Sequence, residues 1–387
     1  MKRIFIIILL LPLAILQSIA SDDSLWRHKS FAELHADWIT PVNPFFSGDN
    51  VSGKPVSASA SLHLKYAFSF PASSRFSQDF PVSWQGVGLS VSGFNNAIMG
   101  TPVALYIFQS SPIVRFSPTL SLDYEWNFGA SAPWKTNEAV GTPVNAYIGL
   151  ACVLNWNFAQ NWHFTSGVGY SHFSNGNTTY PNSGVNGLVL RFGVSRDFEG
   201  RKTNVAQGDA ANQRRKVSQH DKNEQSRKMI YDVSAYGAWR AKGMTIVDAP
   251  YIARGKFAVA GISFSPLYRV NRVFNVGASL DLTFDESAGI AYHLAGRGEL
   301  GIKFFRPPFV EQAAAGLSLR AELSMPIFTV NIGLGHNILY KGEDMSGLYQ
   351  LINLKTHITR SLYLNAGYKL SRFRDPNHLM LGLGYRF

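Results

Sequence analysis

Leu379-Met380-Leu381-Gly382-Leu383-Gly384-Tyr385-Arg386-Phe387 closes the chain with an unbroken alternation. Successive side chains of a β-strand point to opposite faces, so Leu379, Leu381, Leu383, Tyr385 and Phe387 share one face. Met380, Gly382, Gly384 and Arg386 take the other. One face is large and apolar; the other is small, flexible or charged. A soluble sheet buries such an apolar face in a core, whereas a membrane barrel turns it to lipid.

The rest of the chain decides for the barrel. Beyond residue 20 no apolar run reaches the roughly 18 residues a membrane-spanning helix needs. Segments of about ten residues, alternating apolar with small or polar, recur instead along the whole length. Strands are expected to begin near residues 31, 59, 86, 102, 117, 145, 162, 185, 230, 256, 273, 315, 327, 349, 362 and 378, about sixteen in all. Tyr124, Trp126, Trp156, Trp162, Tyr170, Tyr363 and Tyr385 fall near strand ends, where an interfacial girdle belongs. The competing reading is a secreted β-sandwich. The terminal Phe387 also resembles the recognition signal of bacterial outer-membrane barrels. The expected fold is an all-β transmembrane antiparallel barrel, as two eight-stranded halves from a duplication or, alternatively, as one sixteen-stranded barrel.

The N-terminus reads as an export signal. Met1-Lys2-Arg3 precedes an apolar run from Ile4 to Leu16, and Gln17-Ser18-Ile19-Ala20 supplies small residues before Ser21-Asp22-Asp23. Residues 1–20 are therefore expected to be a signal peptide, and the destination the bacterial outer membrane. Cys152 is the only cysteine, so no internal disulfide forms and no lipid attachment point lies near the cleavage site. The formal charge of +11 suits an anionic lipopolysaccharide surface, and no motif reads nucleic acid.

Barrels of this kind use short periplasmic turns and long outer loops. Ala159-Gln160-Asn161 and Arg360-Ser361 are short, whereas Ala130 to Val144 and Tyr340 to Gly347 are long, so the strand from Trp162 to Ser174 runs outward. Glu199 to Lys228, rich in Arg and Lys and poor in large apolar residues, reads as a charged periplasmic linker. It separates a barrel unit at 21–198 from a second unit at 229–387. The halves look alike: Tyr147 to Tyr170 parallels Leu348 to Tyr368, each a strand, a short turn and a strand ending Gly-Tyr.

Chemistry concentrates at one hairpin. Ser171-His172-Phe173-Ser174-Asn175-Gly176 ends the outward strand, and Pro181-Asn182-Ser183-Gly184-Val185-Asn186 opens the returning one. His172 and Ser174, two apart, share a face. A hairpin folded about Thr179 places Asn186 opposite His172, and opposed residues point the same way. Nucleophile Ser174, base His172 and orienter Asn186 then lie in spatial order. Asn175 and Gly176 offer an oxyanion hole. Trp162, Phe164, Val168 and Tyr170 share the parity of His172, and Leu188, Leu190, Phe192 and Val194 that of Asn186, so the constellation faces lipid at the outer rim. Acyl chains are its neighbours, which makes a membrane lipid the natural substrate. His63, His163 and His336 lack metal-ligand spacing, and no metal or cofactor is expected.

These residues carry a resemblance. His172-Phe173-Ser174-Asn175 followed by Pro181-Asn182 and Gly184-Val185-Asn186 resembles the signature of the outer-membrane lipid A 3-O-deacylases, the PagL family, over roughly residues 31–198. The resemblance implies an eight-stranded barrel with a His-x-Ser pair facing lipid, an acyl-ester hydrolase activity and lipid A of lipopolysaccharide as the partner. It departs at Asn186, where that family has glutamate. The same site is similar to outer-membrane phospholipase A, which has a His-Ser-Asn triad and uses calcium; the Ser-Arg-Ser-Trp-Asn-Arg stretch expected there is missing. A non-enzymatic porin or structural barrel is the remaining alternative. Aligning Tyr368 with Tyr170 places Leu370 and Arg372 at the histidine and serine positions, so the second unit is expected to be non-catalytic.

Overall fold

The computed structural model describes residues 27–70, 80, 83–199, 228–246, 249–294, 302–325, 328–359, 361–372 and 375–387. The expected signal peptide lies outside these residues, as does the expected linker apart from its end residues Glu199 and Lys228.

Residues 27–199 close into one antiparallel barrel of eight strands. These are β1 (Arg27–Ile39), β2 (Ala58–Ser69), β3 (Trp84–Phe94), β4 (Val103–Arg115), β5 (Leu120–Ala132), β6 (Asn145–Ala159), β7 (Trp162–Ser174) and β8 (Val185–Glu199). Each pairs with its sequence neighbour, and β1 closes on β8 in a register that sets Leu34 against Phe192. The order is the one short hairpin connections allow, and closure leaves no unpaired edge.

The alternation of β1 shows which solvent the barrel is built for. Leu34 and Trp38 are exposed at 65% and 61%, whereas Glu33 and Asp37 are buried at 2% and 8%. Apolar side chains outside and polar ones inside invert a soluble sandwich, and an apolar exterior is stable only in lipid. The interior of an eight-stranded barrel is just wide enough for side chains to fill. Here Arg191 on β8 bonds Glu33 and Glu125, the latter at 2.8 Å. Lys65 bridges the same two carboxylates at 2.9 and 2.8 Å. Two cations against two anions, all buried, leave each charge compensated.

The connections 40–57, 95–102, 133–144 and 175–184 gather at one end, and 116–119 and 160–161 at the other. By the loop-length rule the first is assigned as the outer end, the same rule by which β7 is expected to run outward. Most of the β2–β3 connection lies outside the described residues. Beneath the outer connections sits an apolar cluster that includes Phe45, Phe46, Met99, Trp134, Tyr147, Phe173 and Val185.

A second closed barrel uses β9 (Met229–Arg240), β12 (Phe257–Arg269), β13 (Phe274–Asp285), β16 (Ala313–Ser324), β17 (Thr329–Tyr340), β18 (Gly347–His357), β19 (Leu362–Ser371) and β20 (Asp375–Arg386). Two small hairpins, β10 (Gly243–Ile246) with β11 (Ala249–Ile252) and β14 (Ala291–Leu294) with β15 (Ile302–Phe305), stand in its long connections. They were not expected, because four-residue strands are too short to show a period. The fold is thus two eight-stranded barrels, not the alternative single sixteen-stranded one.

Tyr363 corrects the expected girdle. It is fully buried inside the second barrel, with the Lys355 ammonium 5.1 Å from its ring centroid. Asn365 and Lys369 share its parity and are also buried, and a strand cannot turn one of these inward without the others.

Candidate active site

The β7–β8 hairpin places the expected residues as the alternation demands. His172 pairs directly with Asn186. The residues between the site positions point inward and fix the register. Ser171 Oγ donates to Asp37 Oδ2 at 2.8 Å. Phe173, 7% exposed, stacks on Tyr147 at 5.0 Å and lies 5.1 Å from Trp134. With 171 and 173 held inside, His172 and Ser174 must face out, beside exposed Tyr170 and Leu188.

His172 Nδ1 lies 2.6 Å from Asn186 Oδ1. A carbonyl oxygen only accepts, so Nδ1 carries the proton and Nε2 keeps its lone pair. Tyr170 Oη donates to the same Asn186 oxygen at 2.7 Å. Two donors on one oxygen fix the amide orientation, which a single bond would leave freer to flip. Gly184, at φ +71°, lies against the His172 ring. A Cβ there would stand 3.1 Å from His172 Cε1 and strain a left-handed backbone, so only glycine fits well.

Ser174 is held by Asn182. Asn182 Nδ2 donates to Ser174 Oγ at 3.0 Å, the hydroxyl lies 3.2 Å from Asn182 Oδ1, and the Asn175 N–H donates to that oxygen at 3.1 Å. Asn182 is itself placed from the neighbouring connection, by an antiparallel bridge to Val140 and by the Ser183 N–H donating to Ala139 O at 3.0 Å. Asn175 is buried and Gly176 follows at φ +64°. One asparagine thus engages both the hydroxyl proposed as nucleophile and a backbone N–H proposed for the oxyanion. Tyr170 and Asn182 are the site residues that sequence reasoning missed. Tyr170 passed for girdle, and Asn182 for part of a motif without a role, although its parity with Ser174 was readable.

In the second barrel the seventh strand is β19, and Leu370 there pairs with Pro376. No serine and imidazole stand at these positions. Among the described residues no group of three or more His, Cys, Asp or Glu is placed to hold a metal ion.

Fold and site together define a membrane β-barrel carrying serine, imidazole and amide on its lipid-facing rim. Comparison with known families makes this particular. Residues 56–195 match the family described as lipid A 3-O-deacylase (PagL), and residues 229–387 match that described as acyloxyacyl hydrolase, C-terminal domain. The chain is a PagL-like protein of the bacterial outer membrane, a lipid A deacylase by family. No curated protein sequence matches it. Solved structures similar to it include Neisserial surface protein A, at 11% identity over 44% of this chain and 97% of that one, TM-score 0.28. The siderophore receptor PirA from Pseudomonas aeruginosa matches at 9% identity over 93% and 80%, TM-score 0.23. A porin of Rh. blastica matches at 8% over 94% and 100%, TM-score 0.16.

Proposed function

We propose that the first barrel is a serine ester hydrolase that removes an acyl chain from lipid A in the outer leaflet, and that the matched family's activity points to the 3-O-linked chain. Ser174 Oγ attacks the acyl carbonyl while His172 Nε2 takes its proton. The same nitrogen returns the proton to the departing sugar hydroxyl, leaving an acyl-enzyme that water hydrolyses with His172 again as base. Asn186, braced by Tyr170, holds the imidazole tautomer. The Asn175 N–H, with Gly176 beside it, stabilises the oxyanion once the substrate carbonyl has displaced Asn182. The observation that carries this reading is the 2.6 Å bond from His172 Nδ1 to Asn186 on the lipid face, because it leaves Nε2 free to act as base.

One feature favours a second reading, phospholipid cleavage: the partner of His172 is an asparagine, as in the phospholipase triad. That reading needs calcium, and the deacylase reading needs no cofactor. Incubation with a fluorophosphonate probe tests the nucleophile itself. Ser174 is expected to become labelled, and His172→Ala to suppress the labelling. Label on another serine, or equal labelling of His172→Ala, would refute the assignment.

A further inference from the structure

The interior of the second barrel pairs its charges in tiers. At the inner end Arg386 bonds Asp232 and Glu322, each at 2.7 Å, and Lys355 bonds the same two carboxylates. Midway, Arg320 bonds Asp281 at 2.6 Å. Toward the long connections Arg240 pairs with Asp285 at 3.1 Å and Lys242 with Asp344 at 2.7 Å. Lys369 is left over. It is 3% exposed, and no carboxylate among the described residues lies within ion-pairing distance of its ammonium. Its neighbours are Thr283 Oγ1 at 3.3 Å and the ring of Tyr349, 4.2 Å to the centroid. Asp281 and Asp285 act on it only from beyond contact distance, each already paired with an arginine, and an ammonium withdrawn from water without a direct ion pair is expensive to keep; a hydroxyl and a π-face compensate only part of that cost.

Lys369 lines a cavity of about 310 Å³ within this barrel. Arg240 and Lys242 against Asp285 and Asp344 cancel, so Lys369 leaves the wall with one uncompensated positive charge. The remaining wall is rich in hydroxyl and amide groups, among them Thr283, Asn337 and Ser371. At roughly 30 Å³ for each water the space holds about ten waters or one hexose bearing a charged group. Drug-like apolar ligands need mainly apolar walls, whereas here Ala288, Met345 and Leu348 are outnumbered by polar and charged residues.

We propose that this cavity binds an anionic saccharide, a sugar carrying a phosphate monoester or a carboxylate, with the anion on Lys369 and sugar hydroxyls on Thr283 and Asn337. Such a group reaches the outer end of the barrel either as a free sugar phosphate or as part of a lipopolysaccharide oligosaccharide. The site is separate from the Ser174 chemistry and does not depend on it.

Titration calorimetry on the full chain in detergent micelles tests this with four probes: glucose 6-phosphate, glucose, inorganic phosphate and fully deacylated lipopolysaccharide oligosaccharide. Saturable binding is expected for glucose 6-phosphate, the oligosaccharide or both, at least tenfold tighter than glucose or inorganic phosphate and at least tenfold weaker in Lys369→Met. Preference between the two tells a free sugar phosphate from lipopolysaccharide as the source. Should Lys369→Met fail to fold, judged by the heat-dependent gel mobility of intact barrels, Asn337→Leu at the cavity wall takes its place with the same expected loss. Binding of glucose as tight as its phosphate, inorganic phosphate as tight as both, unchanged binding in the folded variants, or no binding by any probe would overturn the proposal.

Discussion

Asn186 receives two donors on one oxygen, from His172 and from Tyr170, and this defines how a neutral amide stands in for a carboxylate. In the proposed mechanism the amide fixes the tautomer but adds little to the stability of the imidazolium that would form as Ser174 attacks. Asn186→Glu is therefore expected to raise kcat by roughly tenfold, within the range a better-matched general base supplies. Because a carboxylate favours the protonated ring, the same substitution should move the acid limb of the pH–rate profile to higher pH. In the unmodified protein kcat/KM should fall about tenfold per pH unit on that limb, since only the neutral imidazole accepts a proton, and level off above it. Tyr170→Phe removes one hydrogen bond and no bulk. A loss of about three- to tenfold in kcat with KM unchanged is expected, matching roughly 0.5–1.5 kcal/mol for one such bond. A change confined to KM would show that Tyr170 contacts the substrate instead of bracing Asn186.

The β7–β8 hairpin works because its inward residues are as specified as its outward ones. Phe173 and Ser171 tie β7 to the interior, and on the returning strand the charge cluster around Arg191 ties β8 to β1 and β5. Arg191→Met leaves Glu33 and Glu125 sharing only Lys65. Urea unfolding in micelles should show a destabilisation of about 3–5 kcal/mol, the usual cost of leaving buried charges uncompensated. A loss below about 1 kcal/mol would mean that water already screens the cluster. At this scale the sequence was most legible. The strand expected to begin at 185 does so, and those expected at 59, 86 and 230 begin at Ala58, Trp84 and Met229, because a lipid face and a packed interior impose a period of two that no loop imitates. The cross-strand pairing of His172 with Asn186 followed from that period and the symmetry of the hairpin. What the period could not give was how connections fold back. Asn182 reaches Ser174 through a bridge to Val140, more than thirty residues away in sequence, and the strands of β10–β11 and β14–β15, four residues each, are too short to show a period.

The molecule as a whole carries one site-bearing barrel and one without serine or imidazole at the equivalent positions. Both are closed at eight strands, and apart from the cavity beside Lys369 the described side chains fill their interiors, so among the described residues neither shows the continuous water-filled lumen of a large porin. Planar bilayers containing the purified protein should show no steady porin-like conductance; stable open channels would contradict the packed interiors described above. The central claim is that the lipid-facing Ser174 cleaves an acyl ester of lipid A. It is tested most directly by mass spectrometry of lipid A and phospholipids after incubation with the purified protein, with Ser174→Ala alongside and with calcium or chelator added. The account predicts loss of one hydroxyacyl chain from lipid A, indifferent to chelator and abolished by Ser174→Ala. Calcium-dependent lysophospholipid, undiminished deacylation by Ser174→Ala, or no product from either lipid would contradict it.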